Sequence, residues 1–146
     1  MKIENIISQL RIEKSEIRCW GKFYCIDKSF NKKFIDLFFQ DTSINDVSKI
    51  YCKILCVSKN KKLSLQYHKK RKEIWKILDG PVNAIVDTDE ISLNTNDIVV
   101  IESYINHRLI GKDNDAIIAE LWINVNEHDP TSEDDIVRLE DDFGRI

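Results

Sequence analysis

From Ile17 to Asn124 the chain is cut into short β-branched and aromatic runs, separated by Asn, Asp and Gly clusters that favour turns. No other feature narrows the fold as much, because strands recurring roughly every 8–12 residues close into a two-sheet sandwich or a small barrel. The runs fall at Ile17–Cys25, Lys49–Val57, Leu63–Tyr67, Ile74–Leu78, Val82–Val86, Glu90–Leu93, Asp97–Ile101, His107–Ile110 and Ala116–Asn124. Asp79-Gly80-Pro81, Asn94-Thr95-Asn96-Asp97 and Gly111-Lys112-Asp113-Asn114-Asp115 are the turns between them. Ahead of this pattern, Ile3, Ile6, Ile7 and Leu10 follow helical spacing and predict a short helix over residues 2–11, packed on the core or on a sister subunit. Phe30–Asp46 fits both periods. Phe34, Leu37 and Phe38 have helical spacing, whereas Phe38-Phe39 before Asp41-Thr42-Ser43 reads equally as strand and turn.

Composition bounds the rest. A chain of 146 residues with 42% apolar and 32% charged residues is expected to form one domain, a helical arm over 1–16 and a β-barrel over 17–146. No apolar run is long enough to span a bilayer, and the start Met1-Lys2-Ile3-Glu4-Asn5 lacks a secretory signal, so the expectation is a cytoplasmic protein with four cysteine thiols and no membrane partner. Cys52 and Cys56 alternate with Ile50 and Ile54 and read as small core residues. The net charge of −3 is segregated: seven Lys or Arg lie between Lys59 and Lys72, and eight acids between Glu127 and Asp142. Those faces attract each other or form a cationic rim for an anionic ligand. Too few aromatics accompany the basic run to stack bases, so no nucleic acid is expected.

The chemistry is concentrated around His68. Gln66 and His68 lie two apart on an extended segment and share a face, Glu73 returns to that face after a turn, and His107 follows a later strand. Mixed nitrogen and oxygen donors of this kind suit Zn²⁺, Fe²⁺, Mn²⁺ or Co²⁺ and leave coordination positions open.

The string Ser64-Leu65-Gln66-Tyr67-His68-Lys69-Lys70-Arg71-Lys72-Glu73-Ile74-Trp75, with Gly80 beyond it, resembles the first cupin motif of the type II mannose-6-phosphate isomerases, the isomerase half of the bifunctional mannose-1-phosphate guanylyltransferase/mannose-6-phosphate isomerase. Ser64, Leu65, Gln66, His68, Arg71, Glu73 and Trp75 match that motif. Lys70 replaces its second histidine and Ile74 another polar residue. Glu133 to Arg145 is similar to the family's closing signature, Arg18-Cys19-Trp20-Gly21 to its Arg-Pro-Trp-Gly opening, and His107-Arg108 to its second cupin motif. Glu102 to Asn106 stands in place of a Pro-x-Gly turn, and Phe30–Asp46 has no counterpart.

The resemblance implies an all-β cupin, a double-stranded β-helix with a short N-terminal helix, holding one divalent ion through Gln66, His68, Glu73 and His107. Zn²⁺ is the first expectation for that ion. The implied reaction interconverts mannose 6-phosphate and fructose 6-phosphate, which needs a Lewis acid at the carbonyl and a base between adjacent carbons. Arg145 and Arg71 are the implied grips for the sugar phosphate, with Lys70 adding charge. The base stays open among Glu140, Asp141, Asp142 and a hydroxide on the ion. An apolar helical stripe and bare strand edges suggest a homodimer. Two other readings stay open: ketoisomerisation or epimerisation of a nucleotide-linked sugar, and a catalytically silent carbohydrate-binding cupin.

Overall fold

The structure is a computed structural model that describes residues 2–144. Its first element, α1 (Ile3–Ile7), is shorter than the stripe that predicts it, because the chain turns at Ser8–Leu10 and enters strand β1 (Ile12–Arg18). The helical arm expected to reach residue 16 is therefore strand from Ile12 onward. The single strand expected over Ile17–Cys25 is a hairpin, in which β1 turns at Cys19-Trp20 into β2 (Gly21–Ile26), with Arg18 opposite Gly21. Gly21 has φ +151°, and a Cβ there would lie 1.9 Å from the Cys56 carbonyl oxygen, so only glycine lets β2 lie this close to the next strand.

The undecided segment resolves to a helix, α2 (Asn31–Phe38), on whose inner side Phe34, Ile35 and Phe38 are buried. Asn31 anchors its start by donating from Nδ2 to the carbonyls of Val47 and Ile50. Nine strands follow: β3 (Tyr51–Val57), β4 (Leu65–Tyr67), β5 (Arg71–Asp79), β6 (Val82–Val86), β7 (Asp89–Leu93), β8 (Ile98–Ile101), β9 (His107–Ile110), β10 (Ala116–Asn124) and β11 (Val137–Glu140). The last was read from sequence as part of a signature, not as a strand.

Two antiparallel sheets result, one ordered β1-β2-β3-β10-β5-β8 and the other β11-β4-β9-β6-β7. This is the cupin barrel. The larger sheet is apolar on both faces, which explains why its strands read as nearly continuous hydrophobic runs. Leu55, Val57, Trp75, Ile77 and Ile118 pack inward against Val82, Ala84 and Leu109 of the smaller sheet. The alternate residues Cys52, Ile54, Ile74, Ala119 and Leu121 pack outward against Ile6, Leu10, Phe34 and Phe38. The helical stripe is thus covered within the chain, and the argument it offered for a sister subunit lapses. Ile17 on the edge strand β1, and Ile98 and Val100 on the edge strand β8, remain exposed. All four cysteines are free thiols, with Cys25 and Cys52 buried. No helix among the described residues is long and apolar enough to cross a membrane.

Candidate metal centre

Two rows of side chains face each other across the barrel. On the smaller sheet, Gln66 of β4 sits opposite His107 of β9 and opposite Arg138 of β11, so the three share one row. On the larger sheet, Glu73 of β5 sits opposite Trp122 of β10, and the next row reads Trp75, Glu120, Lys53 across β5, β10 and β3. Between them lies a cavity of about 410 Å³, whose lining includes Gln66, Glu73, His107, Arg71, Glu120, Lys53 and Arg138. Trp20, Phe23 and Trp122 add aromatic wall.

His68, Glu73 and His107 converge, the last two on the lining of this cavity. Each is buried, and one ligand atom from each lies within 4.8 Å of the others. His68 Nε2 is 3.1 Å from one carboxylate oxygen of Glu73, and His107 Nε2 is 3.6 Å from the other. The opposite ring nitrogens fix the tautomers. His68 Nδ1 lies 2.6 Å from the carbonyl oxygen of Asp135, and His107 Nδ1 lies 2.9 Å from that of Ile105. A carbonyl only accepts, so Nδ1 carries a proton in both rings, and Nε2 of each is turned toward Glu73. This carbonyl-anchored geometry is what metal-ligating histidines generally use. Burial pushes His107 below its ordinary pKa, which keeps the ring neutral as a ligand must be. Burial acts to raise Glu73, but the His68 hydrogen bond and the Arg71 charge outweigh it and hold the carboxylate ionised, well below the usual range. Two imidazole nitrogens and a carboxylate around one point are a donor set that fits a divalent ion, and Gln66 in the same row as His107 is placed to add an amide oxygen.

A loop after β10 clamps the turn that carries His68. The Asp135 carboxylate accepts from the backbone N–H groups of Lys69 and Lys70 and from the Thr131 hydroxyl, while its carbonyl holds the His68 ring. Burial works against ionised Asp135, but those donors prevail and keep its pKa below the ordinary value.

Of the expected phosphate grips, Arg71 lines the cavity. Arg71 is 5% exposed and most of its donors are engaged: Nε on Glu73 at 2.8 Å, Nη1 on Thr131 Oγ1 and the Ser132 carbonyl, and Nη2 beside His68 Nε2. Its guanidinium also stacks 3.5 Å above the Trp122 ring. An arginine so engaged serves as a counter-ion for Glu73. Lys70 is at the surface, paired with Asp129, outside the cavity lining. Arg145 lies outside the described residues. Of the carboxyls weighed as base, Glu140 pairs with Arg108 and is not on the lining, and neither Asp141 nor Asp142 is.

Sequence reasoning missed Glu120, Lys53 and Arg138. A lone carboxylate inside the apolar run Ala116–Asn124, and a lone ammonium inside Tyr51–Val57, were the available signals, because charged residues are rarely buried in strands without purpose. Glu120 accepts the indole N–H of Trp122 at 2.7 Å and that of Trp75 at 3.0 Å. Burial and the nearby Glu73 charge push its carboxyl up to about 8. Lys53 lies between the rings of Phe23 and Trp122 and pairs with Glu133.

Comparison with known proteins agrees with this architecture. The family model described as Mannose-6-phosphate isomerase C-terminal matches residues 37–141. The mannose-1-phosphate guanylyltransferase of Escherichia coli (strain K12) is 26% identical over 136 residues, which are 93% of this chain and 24% of that protein. The chain therefore spans about a quarter of the length of the curated relative it matches. Among solved structures, KdgF from Halomonas sp. superposes with a TM-score of 0.56 at 9% identity, covering 77% of this chain and 86% of that one. The DMSP lyase DddQ from Ruegeria pomeroyi DSS-3 gives 0.53 at 18% identity, over 62% of this chain and 43% of its own. At such identities the likeness is one of fold.

Proposed function

This chain belongs to the Mannose-6-phosphate isomerase C-terminal family, and on that footing we propose that it is a metal-dependent sugar-phosphate isomerase interconverting mannose 6-phosphate and fructose 6-phosphate. The observation that carries the reading is the buried set His68, Glu73 and His107, with both imidazole Nε2 atoms turned toward one carboxylate and with Glu73 and His107 on the wall of a polar cavity. With Gln66 as a fourth donor, these residues would hold a divalent ion, Zn²⁺ first, whose contribution when bound is to polarise the sugar carbonyl.

The chain's own residues do the rest. The cavity volume of about 410 Å³ suits a single hexose phosphate. The rings of Trp20, Phe23 and Trp122 offer flat apolar wall to a sugar. Two buried guanidinium nitrogens, Arg108 Nη2 and Arg138 Nε, have no hydrogen-bond partner among the described residues, and both arginines line the cavity. Desolvated donors of this kind are satisfied by anionic oxygens, which supports Arg108 and Arg138 as the phosphate contacts in place of Arg71.

The test is a coupled assay for fructose 6-phosphate formed from mannose 6-phosphate, with metal-stripped protein resupplied separately with Zn²⁺, Mn²⁺ and Co²⁺. Metal-dependent turnover that His107→Ala abolishes is the expected result. Folded protein that turns over nothing with any ion would move the reading to a nucleotide-linked sugar or to a silent binding module.

A further inference from the structure

We propose that Glu120 carries the proton between the two adjacent sugar carbons. The assignment rests on the isomerase reading and gives that reaction the acid–base group it lacks.

Glu120 stands at the middle of the central strand β10, is 6% exposed, and lines the same cavity as Glu73 and His107. Its two oxygens each receive one indole N–H, Oε1 from Trp122 and Oε2 from Trp75. A carboxylate oxygen has two lone pairs, so each keeps one unused. The Trp75 N–H that holds Oε2 is shared with Glu73 Oε1 at 3.1 Å. A single indole nitrogen thus spans the carboxyl on the cavity floor and the carboxylate of the metal centre. Because Glu120, Glu73 and His107 line one cavity and Glu120 and Glu73 share one indole N–H, a sugar held beside Glu73 would present its carbons to Glu120.

Position alone would not select it, but engagement does. Glu73 is held by Arg71 and both histidines, Glu133 by Lys53, and each histidine is anchored through Nδ1. A carboxylate in an ion pair is a weakened base. Glu120 is the buried carboxyl on the described lining that has no cation hydrogen-bonded to it; the charges that surround it are Glu73, Lys53 and Arg71. Two rigid indoles on neighbouring strands hold it in one orientation, as proton transfer to and from carbon requires.

The step balances within the substrate. The Glu120 carboxylate takes the proton from C2, the C2–H pair becomes the C1=C2 bond, and the carbonyl pair moves onto O1. The O2 hydroxyl proton passes to O1. Glu120 then returns its proton to C1 as O2 becomes the ketone oxygen.

The experiment compares wild type, Glu120→Gln and Glu120→Asp, each loaded with Zn²⁺, in D2O with mannose 6-phosphate, reading turnover and deuterium entering the hexose by NMR, with metal content measured in parallel. Glu120→Gln keeps the acceptor for one indole and is expected to lose about 10²–10⁴-fold in turnover and the deuterium exchange with it, while still holding one equivalent of zinc. Glu120→Asp keeps the carboxyl but withdraws it, and is expected to lose about 10²-fold in kcat with little change in KM. Turnover of Glu120→Gln within tenfold of wild type overturns the proposal, as does loss of zinc from both variants in step with activity. If wild type holds zinc and isomerises nothing, the isomerase reading itself fails and takes this role with it.

Discussion

Arg71 shows how much of a residue's role lies outside its position in a motif. As a matched residue in a phosphate-sugar family it reads as a ligand grip, but in the barrel its donors go to Glu73, Thr131, Ser132 and His68. Buried charge costs several kcal/mol unless it is paired and hydrogen-bonded, so a guanidinium beside a buried carboxylate is claimed before any substrate arrives. Cys52 makes the same point for a neutral group. Burial alone pushes its thiol from 9.0 up to about 12. The folded state therefore keeps a proton that the unfolded chain releases, and the stability linked to this group is present in full below pH 9 and lost as pH rises from 9 toward 12. Urea denaturation at pH 8 and pH 10 is expected to show a smaller drop in stability for Cys52→Ala than for wild type. An equal drop in both would mean the thiol titrates normally.

At the scale of elements, α2 decides which face of the larger sheet is core and which is site. Phe34 is fully buried between α2 and the outward face, in edge contact with Phe38 at 5.1 Å. Its loss leaves a cavity that a helix pinned by Asn31 and a paired sheet cannot collapse. Phe34→Ala is expected to cost about 3–5 kcal/mol by denaturant unfolding. Zinc affinity of the folded variant should stay within about twofold of wild type, because the metal centre lies on the opposite face of β5 and β10. A parallel collapse of zinc affinity would mean the two faces are coupled through the sheet. The hairpin β1–β2 depends on Gly21 in a different way, through the close approach of Cys56.

For the whole molecule, the two sheets bring together donors that are far apart in the chain, and an ion bound there links them. Binding to the folded state alone stabilises it by about 2.7 kcal/mol at a free-ion concentration one hundred times Kd. For a chain of this size that corresponds to a rise in Tm of roughly 5–10 °C. Thermal unfolding with and without Zn²⁺ is expected to show such a rise in wild type, reversed by chelator and absent in His107→Ala. A shift retained in that variant would place the ion elsewhere. The same closure explains the acidic segment after β10. Read alone it is a solvated tail, but its loop seats His68 through Asp135 and Arg71 through Thr131, and its strand β11 adds Arg138 to the wall.

What the sequence determined is whatever depends on neighbours along the chain. Strand cadence placed β6, β9 and β10 at their observed bounds, because alternation and turn chemistry are local. The residues His68, Glu73 and His107, which the fold brings together, were named from alternation and from the family motif. Phe30–Asp46 was undecidable because its two periods overlap, and burial against the outward face selects the helix. Only the tertiary structure could place Glu120 and Glu73 on one indole N–H, turn Arg71 onto Glu73, and leave Arg138 Nε without a partner among the described residues. Those outcomes depend on which strand lies opposite which, and register between strands distant in sequence is settled by barrel closure.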